Sequence, residues 1–329
     1  MIRFSTIVCI LGVILGWAPS GVLYADNREG AMIDIRQTQQ RLRDHLHALT
    51  VTIGERSVRI PENLKKTAAY ITAFLEDLGI AVDRQRYAYA EQPLDNIAAE
   101  ISLRTDPKHR LLIGAHYDSV SGTVGADDNA SAVAVQLEVA RHLAEQKGSN
   151  LLDLAVKFIF FALEEPPAYG TPYMGSRVYA KMARAQKEDI DGMICLEMVG
   201  YACHEPGCQN YPFPLMFLDY PKKGNFIGIV NNFKSRGFAQ RLVGQFQKNQ
   251  QLPVVKLTVP FNGWIMPAVR LSDHASFWDQ GFKAVMVTDS AFFRNPHYHT
   301  AADTMDKLDF EFMAEVVESL VIFFLSHPR

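Results

Sequence analysis

His116, Asp118, Asp127, Asp128, Glu164, Glu165, Glu197, His297 and His299 are the side chains of this sequence that could do metal or acid–base chemistry together. His116-Tyr117-Asp118 offers an imidazole with a carboxylate two residues on. In an extended segment those two positions share a face, and a metal-bound histidine commonly gives its other ring proton to a carboxylate. Taken alone, His116 is more often an ordinary hydrogen-bonded histidine. Gly125-Ala126-Asp127-Asp128-Asn129 precedes a helical pattern, and Asp and Asn are standard helix caps. The functional alternative is that one carboxylate bridges two cations while its neighbours shape the turn. Glu164-Glu165 closes a run of Phe and Ile with apolar residues before and after it, which a surface turn explains poorly. Adjacent residues at a strand end diverge, so one could bind a metal while the other faces substrate. Glu197, between Ile194-Cys195-Leu196 and Met198-Val199, needs a partner or a metal, because an uncompensated buried charge is costly. Asn295-Pro296-His297-Tyr298-His299-Thr300 supplies either two ligands or one ligand and one surface histidine.

These groups matter only if a fold gathers them. Leu111–Ala115, Leu154–Leu163, Met193–Val199 and Ala284–Val287 are continuous apolar runs, as expected of strands covered on both faces. Ile97–Leu103 reads as a half-buried strand. Apolar spacing predicts helices over 33–49, 62–78, 130–146, 174–187, 235–249 and 310–324, the second bounded by Pro61 and Gly79. Strands alternating with helices argue for an α/β layered fold. Ligands of such sheets bind beyond the carboxyl ends of the strands. His116 and Asp118, Glu164 and Glu165, Glu197, and Asp289 with Ser290 each stand at the end of an apolar run, so four strands deliver polar groups to one edge. No Pro/Gly/Ser linker divides 26–329, which is expected to be one domain. The segment 201–232, rich in prolines and aromatics, is expected to be an inserted loop or hairpin near the site. Trp264, Phe213 and Phe261 could shape an apolar pocket, or equally sit in the core or at a rim.

The bulk numbers exclude little else. The chain has 329 residues, 48% of them hydrophobic, and a formal net charge of −3. A sizeable core is expected, and neither nucleic acid nor an anionic membrane is indicated as a partner. Arg3 followed by the apolar run Ile7–Ala18, Pro19 and Ala25 reads as a signal peptide over 1–25, with an uncleaved anchor as the alternative. The run is shorter than the ~20 residues a membrane-spanning helix needs. The body is therefore expected in a periplasm or outside the cell, as a monomer. Of four cysteines, Cys9 lies in that leader and Cys195 in a strand-like run. Cys203 and Cys208 flank a tight Pro206-Gly207 turn, and in an oxidising compartment they are expected to form a disulfide. A small metal site with His204 lacks further ligands nearby.

Taken in order, the motifs resemble the zinc aminopeptidases of metallopeptidase family 28, whose relatives include the glutaminyl cyclases. The resemblance covers nearly all of 33–329. It rests on His116-Tyr117-Asp118-Ser119, Gly125 to Ser131, Leu163-Glu164-Glu165, Glu197, His299 to Thr304, and the block Ser272-Asp273-His274-Ala275-Ser276-Phe277-Trp278. It implies a three-layer α/β/α sandwich around a mostly parallel, twisted mixed sheet, the zinc exopeptidase fold. It also implies two Zn²⁺ ions, one on His116 and Glu197, the other on Glu165 and His299, with Asp128 bridging. Asp127 would be structural, His297 a surface residue, Glu164 the general base and Tyr298 an oxyanion donor. Asp118 would orient His116, and Asp273 would support the site from behind the ligands. The implied substrates are peptides with a free N-terminus. Glu197 stands where many of these aminopeptidases have Asp, which keeps a carboxypeptidase-type relative open. A one-zinc glutaminyl cyclase is the other alternative, although the cyclases carry a tryptophan where this chain has Tyr298. A binding protein that has lost catalysis is disfavoured, since no implied ligand is missing.

Overall fold

Alternation decides which face each strand residue serves. In the computed structural model, Leu111, Ile113, Val156, Phe158, Ile194 and Leu196 belong to one buried apolar cluster, while Leu112, Ile159, Met193 and Cys195 belong to another on the opposite face. Successive side chains of a strand point to opposite faces, so strands buried on both sides read as unbroken apolar runs. The structure describes residues 32–326 apart from 150–151, 213–217 and 219. The expected signal peptide and Phe213 lie outside the described residues.

Eight strands form one mixed sheet: β1 (Val82–Tyr89), β2 (Gln92–Ser102), β3 (Arg110–His116), β4 (Ala155–Phe161), β5 (Gly192–Glu197), β6 (Ile227–Asn232), β7 (Val254–Val259) and β8 (Ala284–Thr288). Their order is β1-β2-β4-β3-β5-β8-β6-β7. The neighbours β4, β3, β5 and β8 run parallel to one another, as do β6 and β7. β2 is antiparallel to β1 and β4, and β6 to β8. Helices α1 (Ile35–Leu46), α2 (Pro61–Asp77), α3 (Ala132–Ala144), α5 (Arg236–Phe246) and α7 (Phe310–Leu325) contribute to the first cluster. Helices α4 (Gly175–Ala185) and α6 (His274–Asp279) contribute to the second. This is the expected α/β/α layering.

Three strands were not anticipated. The segment 201–232 is not loop throughout, because its end, Ile227–Asn232, is β6, next to β8 inside the sheet. Gly228 interrupts its apolar residues and its closing Asn231-Asn232 is polar, so no continuous apolar run announces a strand. β7 is an edge strand whose residues are mostly half-buried. β1 turns into β2 through Ala90-Glu91, both with positive φ (46° and 67°), where a hairpin usually advertises itself with Asn-Gly or Asp-Gly. Helix ends follow local chemistry. Asp34 caps α1 through the Gln37 amide at 3.0 Å, and Asp309 caps α7 through Glu311 and Phe312, each at 3.0 Å. α3 begins later than its apolar spacing suggests, because Ala126–Ser131 forms a wide turn in which Asp128 and Asn129 are non-helical.

Candidate metal centre

The four adjacent parallel strands end on one edge of the sheet, and the polar residues collect there. His116 is the last residue of β3 and Glu197 the last of β5. Glu164 and Glu165 follow the end of β4, and Asp289 follows β8. Asp128 arrives from the turn before α3, and His299 from the loop after β8. The Asp128 carboxylate sits between the two imidazoles, with Oδ1 3.4 Å from His116 Nε2 and Oδ2 3.1 Å from His299 Nε2. Glu197 Oε2 is 3.5 Å from His116 Nε2, and Glu165 Oε2 is 3.3 Å from His299 Nε2. Two groups result, His116–Asp128–Glu197 and Asp128–Glu165–His299, each with its ligand atoms within 4.8 Å of one another.

Each member is held from behind. Asp118 Oδ1 lies 3.1 Å from His116 Nδ1, and the same carboxylate accepts from the amides of Glu164 (2.9 Å) and Glu165 (3.1 Å). Gly125 precedes the Asp128 turn with φ +52°, and a Cβ there would lie 2.1 Å from the Asp128 carbonyl oxygen, so only glycine fits. The Asp303 carboxylate accepts from the amides of Asp127 (2.8 Å) and Asp128 (3.2 Å). Asn129 donates to Leu196 O and accepts from Met198 N, which ties the turn to the end of β5. Asp127 accepts from Gly200 N at 2.9 Å and Asn295 Nδ2 at 2.7 Å. Ser272 Oγ donates to Glu197 Oε2 at 2.5 Å. Asp273, expected to support the ligands, is fully buried, yet its oxygens meet no hydrogen-bond partner at ordinary geometry. Burial pushes its carboxyl up to about 7 against the pull of His116 and the Ser176 hydroxyl. The hydrogen bond to the ligand comes from its neighbour Ser272.

The Tyr298 ring stacks on that of His299, with centroids 3.7 Å apart. His297 belongs to neither group and packs edge-on against Tyr201. Arg56 is a residue that sequence reasoning missed. Its guanidinium is buried and donates to five carbonyls, those of Leu49, Gly54, Tyr117, Val124 and Gly125, at 2.6–3.3 Å. Burial lowers it to about 10, opposed by Asp118, Asp303, Asp128 and Glu165. Nothing in an isolated arginine after Gly54-Glu55 signals that role. Asp303 had a visible signal, a carboxylate four residues after His299.

The donor chemistry suits metal cations. Burial raises Glu164 well above the ordinary carboxylate range, with Glu165 and Glu197 adding to the rise. Burial and then Asp128 push Glu165 up to about 8. Asp128 is lowered despite its burial, by His116 and His299. His116 Nε2, Asp128 Oδ1 and Glu165 Oε1 are buried without a hydrogen-bond partner, and the first two face each other at 3.4 Å within one group. Buried polar atoms are normally satisfied, and two imidazoles with three carboxylates make a set that Zn²⁺ accepts.

An apolar hollow opens beside Glu197 and Tyr298, walled by Phe226, Ile229, Leu257, Val269, Met286 and Phe293. Gln209, Asn210 and Tyr211 line its mouth. Just before them Cys203 and Cys208 are joined in a disulfide. Arg294, buried over the Phe226 ring, ties this segment down through Gln209 Oε1 (2.9 Å) and Phe226 O (2.9 Å). Trp264 and Phe261 do not line the hollow and are 65% and 74% exposed.

Comparison with known proteins places this geometry. The description "Peptidase family M28" matches residues 96–323. A protein of Escherichia coli K12, YfbL, described as uncharacterized, is 36% identical over 290 residues, 86% of each chain. A probable leucine aminopeptidase of Arthroderma otae is 29% identical over 62% of this chain, which spans about half (50%) of that relative's length. In fold, the zinc aminopeptidase BSAP of Bacillus subtilis superposes with a TM-score of 0.68 at 15% identity, over 90% of this chain and 97% of that one. A glutaminyl cyclase of Porphyromonas gingivalis superposes with a TM-score of 0.62 at 19% identity, over 88% and 97%.

Proposed function

The chain belongs to peptidase family M28 and is a peptide hydrolase, and on that premise we propose that it is a zinc aminopeptidase holding two Zn²⁺ ions. His116 and Glu197 would hold one ion and Glu165 and His299 the other, with Asp128 shared between the two groups. The observation that carries this reading is the Asp128 carboxylate, which turns one oxygen to each histidine, at 3.4 Å and 3.1 Å. When bound, such a pair acidifies water and polarises the scissile carbonyl.

The remaining work falls to the protein. Glu164, raised by burial and by Glu165 and Glu197, takes a proton from the attacking water and returns it to the leaving amine. Tyr298 donates its hydroxyl to the developing oxyanion. Asp118 holds His116 and the Glu164-Glu165 main chain in register. The hollow beside Glu197 takes the side chain of the first residue. Its volume of about 100 Å³ is nearer to the ~150 Å³ cavity that admits a benzene ring than to a groove for a chain. The substrates are therefore peptides with a free N-terminus and an apolar first residue. We take 26–329 as one peptidase domain, exported by the segment 1–25. The Cys203–Cys208 disulfide fits an oxidising compartment, and no helix among the described residues is long and apolar enough to cross a membrane.

The test is metal content with hydrolysis of leucine-p-nitroanilide before and after chelation. Two zinc ions per chain, with activity lost to chelator and restored by zinc, support the reading. One zinc and no hydrolysis would sink it and direct attention to glutamine-led peptides as cyclase substrates. Glu164→Gln should keep the zinc and lose on the order of 10²–10⁴-fold in kcat; full activity in that variant would remove Glu164 from the mechanism.

A further inference from the structure

A second cleft lies across Leu271 from the apolar hollow, and Leu271, 42% exposed, lines both. Its walls are Tyr169, Met174, Arg177, Trp264, Arg270 and Ser272, and no acidic residue lines it. It is joined to the metal centre at two points. The Tyr169 amide donates to Glu165 O at 3.1 Å, and Ser272 Oγ donates to Glu197 Oε2 at 2.5 Å. The Tyr169 hydroxyl, 3.4 Å from Arg270 O, is raised by burial and by Glu164 and Glu197 and lowered by Arg177 and Arg270. The cleft thus adjoins the centre at the Glu165 main chain, next to Glu164, and at Glu197.

The two arginines differ. Arg270 is already neutralised, gripping both oxygens of Asp279 at 2.8 Å and 2.9 Å while its guanidinium lies 3.8 Å over the Trp264 ring. Arg177, half-buried on α4, makes one hydrogen bond, to Gly170 O at 2.6 Å, and has no carboxylate partner among the described residues. A planar guanidinium with free donors is suited to bidentate capture of a carboxylate. Trp264 and Tyr169 offer flat apolar walls beside it.

We propose that this cleft receives the part of the peptide beyond the scissile bond, and that Arg177 pairs there with a carboxylate. The proposal rests on the aminopeptidase reading and narrows it to short peptides or peptides with an acidic residue after the bond. The carboxylate has two sources, the C-terminus of a dipeptide or an acidic side chain.

The experiment compares kcat/KM on zinc-loaded full-length protein for Leu-Ala against Leu-Ala-amide, and for Leu-Glu-amide against Leu-Gln-amide. A preference of roughly five- to tenfold for the carboxylate-bearing member of one pair is expected, since a half-exposed charge-assisted bond is modest in strength. The first pair responds to a terminal carboxylate, the second to a side chain. In Arg177→Met the preference should fall to about one, and Arg177→Lys should keep part of it. A preference that survives Arg177→Met, including one that survives an equal loss on all four substrates, overturns the proposal. So does the lack of any preference in native protein that cleaves the amides. If none of the four is cleaved, the aminopeptidase reading itself falls, and this one with it.

Discussion

Asp118 accepts from His116 Nδ1 and from the amides of Glu164 and Glu165, so one carboxylate aims an imidazole and fixes the strand end that carries Glu164 and Glu165. Asp118→Asn leaves a single acceptor oxygen for these donors. Zinc affinity should fall by roughly 10–100-fold, read by competition against a chromophoric chelator; unchanged affinity would mean that strand pairing alone holds the imidazole. Arg56 works differently. It is a buried cation that gives its protons to five carbonyls rather than to a carboxylate. Arg56→Met would strand those acceptors, each at a cost of ~1–3 kcal/mol if left unsatisfied. A loss of at least ~3 kcal/mol is expected in urea unfolding, and a loss below ~1 kcal/mol would show that water replaces the guanidinium.

At the level of elements, the strands that carry the centre were legible because burial on both faces turns them into apolar runs ending in His116, Glu165 and Glu197. β1, β6 and β7 were not. β1 faces solvent on one side, β7 is an edge, and β6 is interrupted by Gly228 and closes in Asn231-Asn232. The members of the two groups were legible by residue type and order. Among their supports, Ser272 and Asp303 stood inside recognised motifs without an assigned role, whereas Arg56 was missed, because an isolated arginine carries no mark of the five carbonyls the fold sets against it. The β1–β2 turn makes a test. Ala90 and Glu91 occupy positive φ, which non-glycine residues adopt at a cost. Replacing them with Asn-Gly should stabilise the protein by about 1 kcal/mol, a rise of roughly 2–4 °C in Tm; no rise would mean that the sheet dictates the turn. The Cys203–Cys208 bond closes a short loop, five residues apart in sequence, so Cys203→Ser with Cys208→Ser should cost ~2 kcal/mol or less. Because Gln209, Asn210 and Tyr211 line the hollow, KM should rise more than kcat falls. An unchanged KM would separate the disulfide from the pocket.

Across the whole molecule, the centre brings three buried carboxylates and the buried His116 imidazole together with His299 on its exposed side. Cations that bind this arrangement and not the unfolded chain stabilise it by mass action, by ~4 kcal/mol for a site at a thousandfold excess over its Kd. Chelation should therefore lower Tm, and zinc should restore it; an identical Tm in both states would mean that the centre binds no metal tightly. The centre is also assembled from distant parts of the chain. The Asp127 and Asp128 amides reach their acceptor, Asp303, across 176 and 175 residues, and His299 comes from the same stretch. A growing polypeptide emerging from a ribosome or threading through a pore has Asp128 long before it has those partners. For the Asp128–Glu165–His299 group, metal capture would then follow the making of most of the described chain, unlike small zinc modules, in which the metal drives folding. On the proposed reading, that ion would be drawn from the zinc around a nearly folded protein.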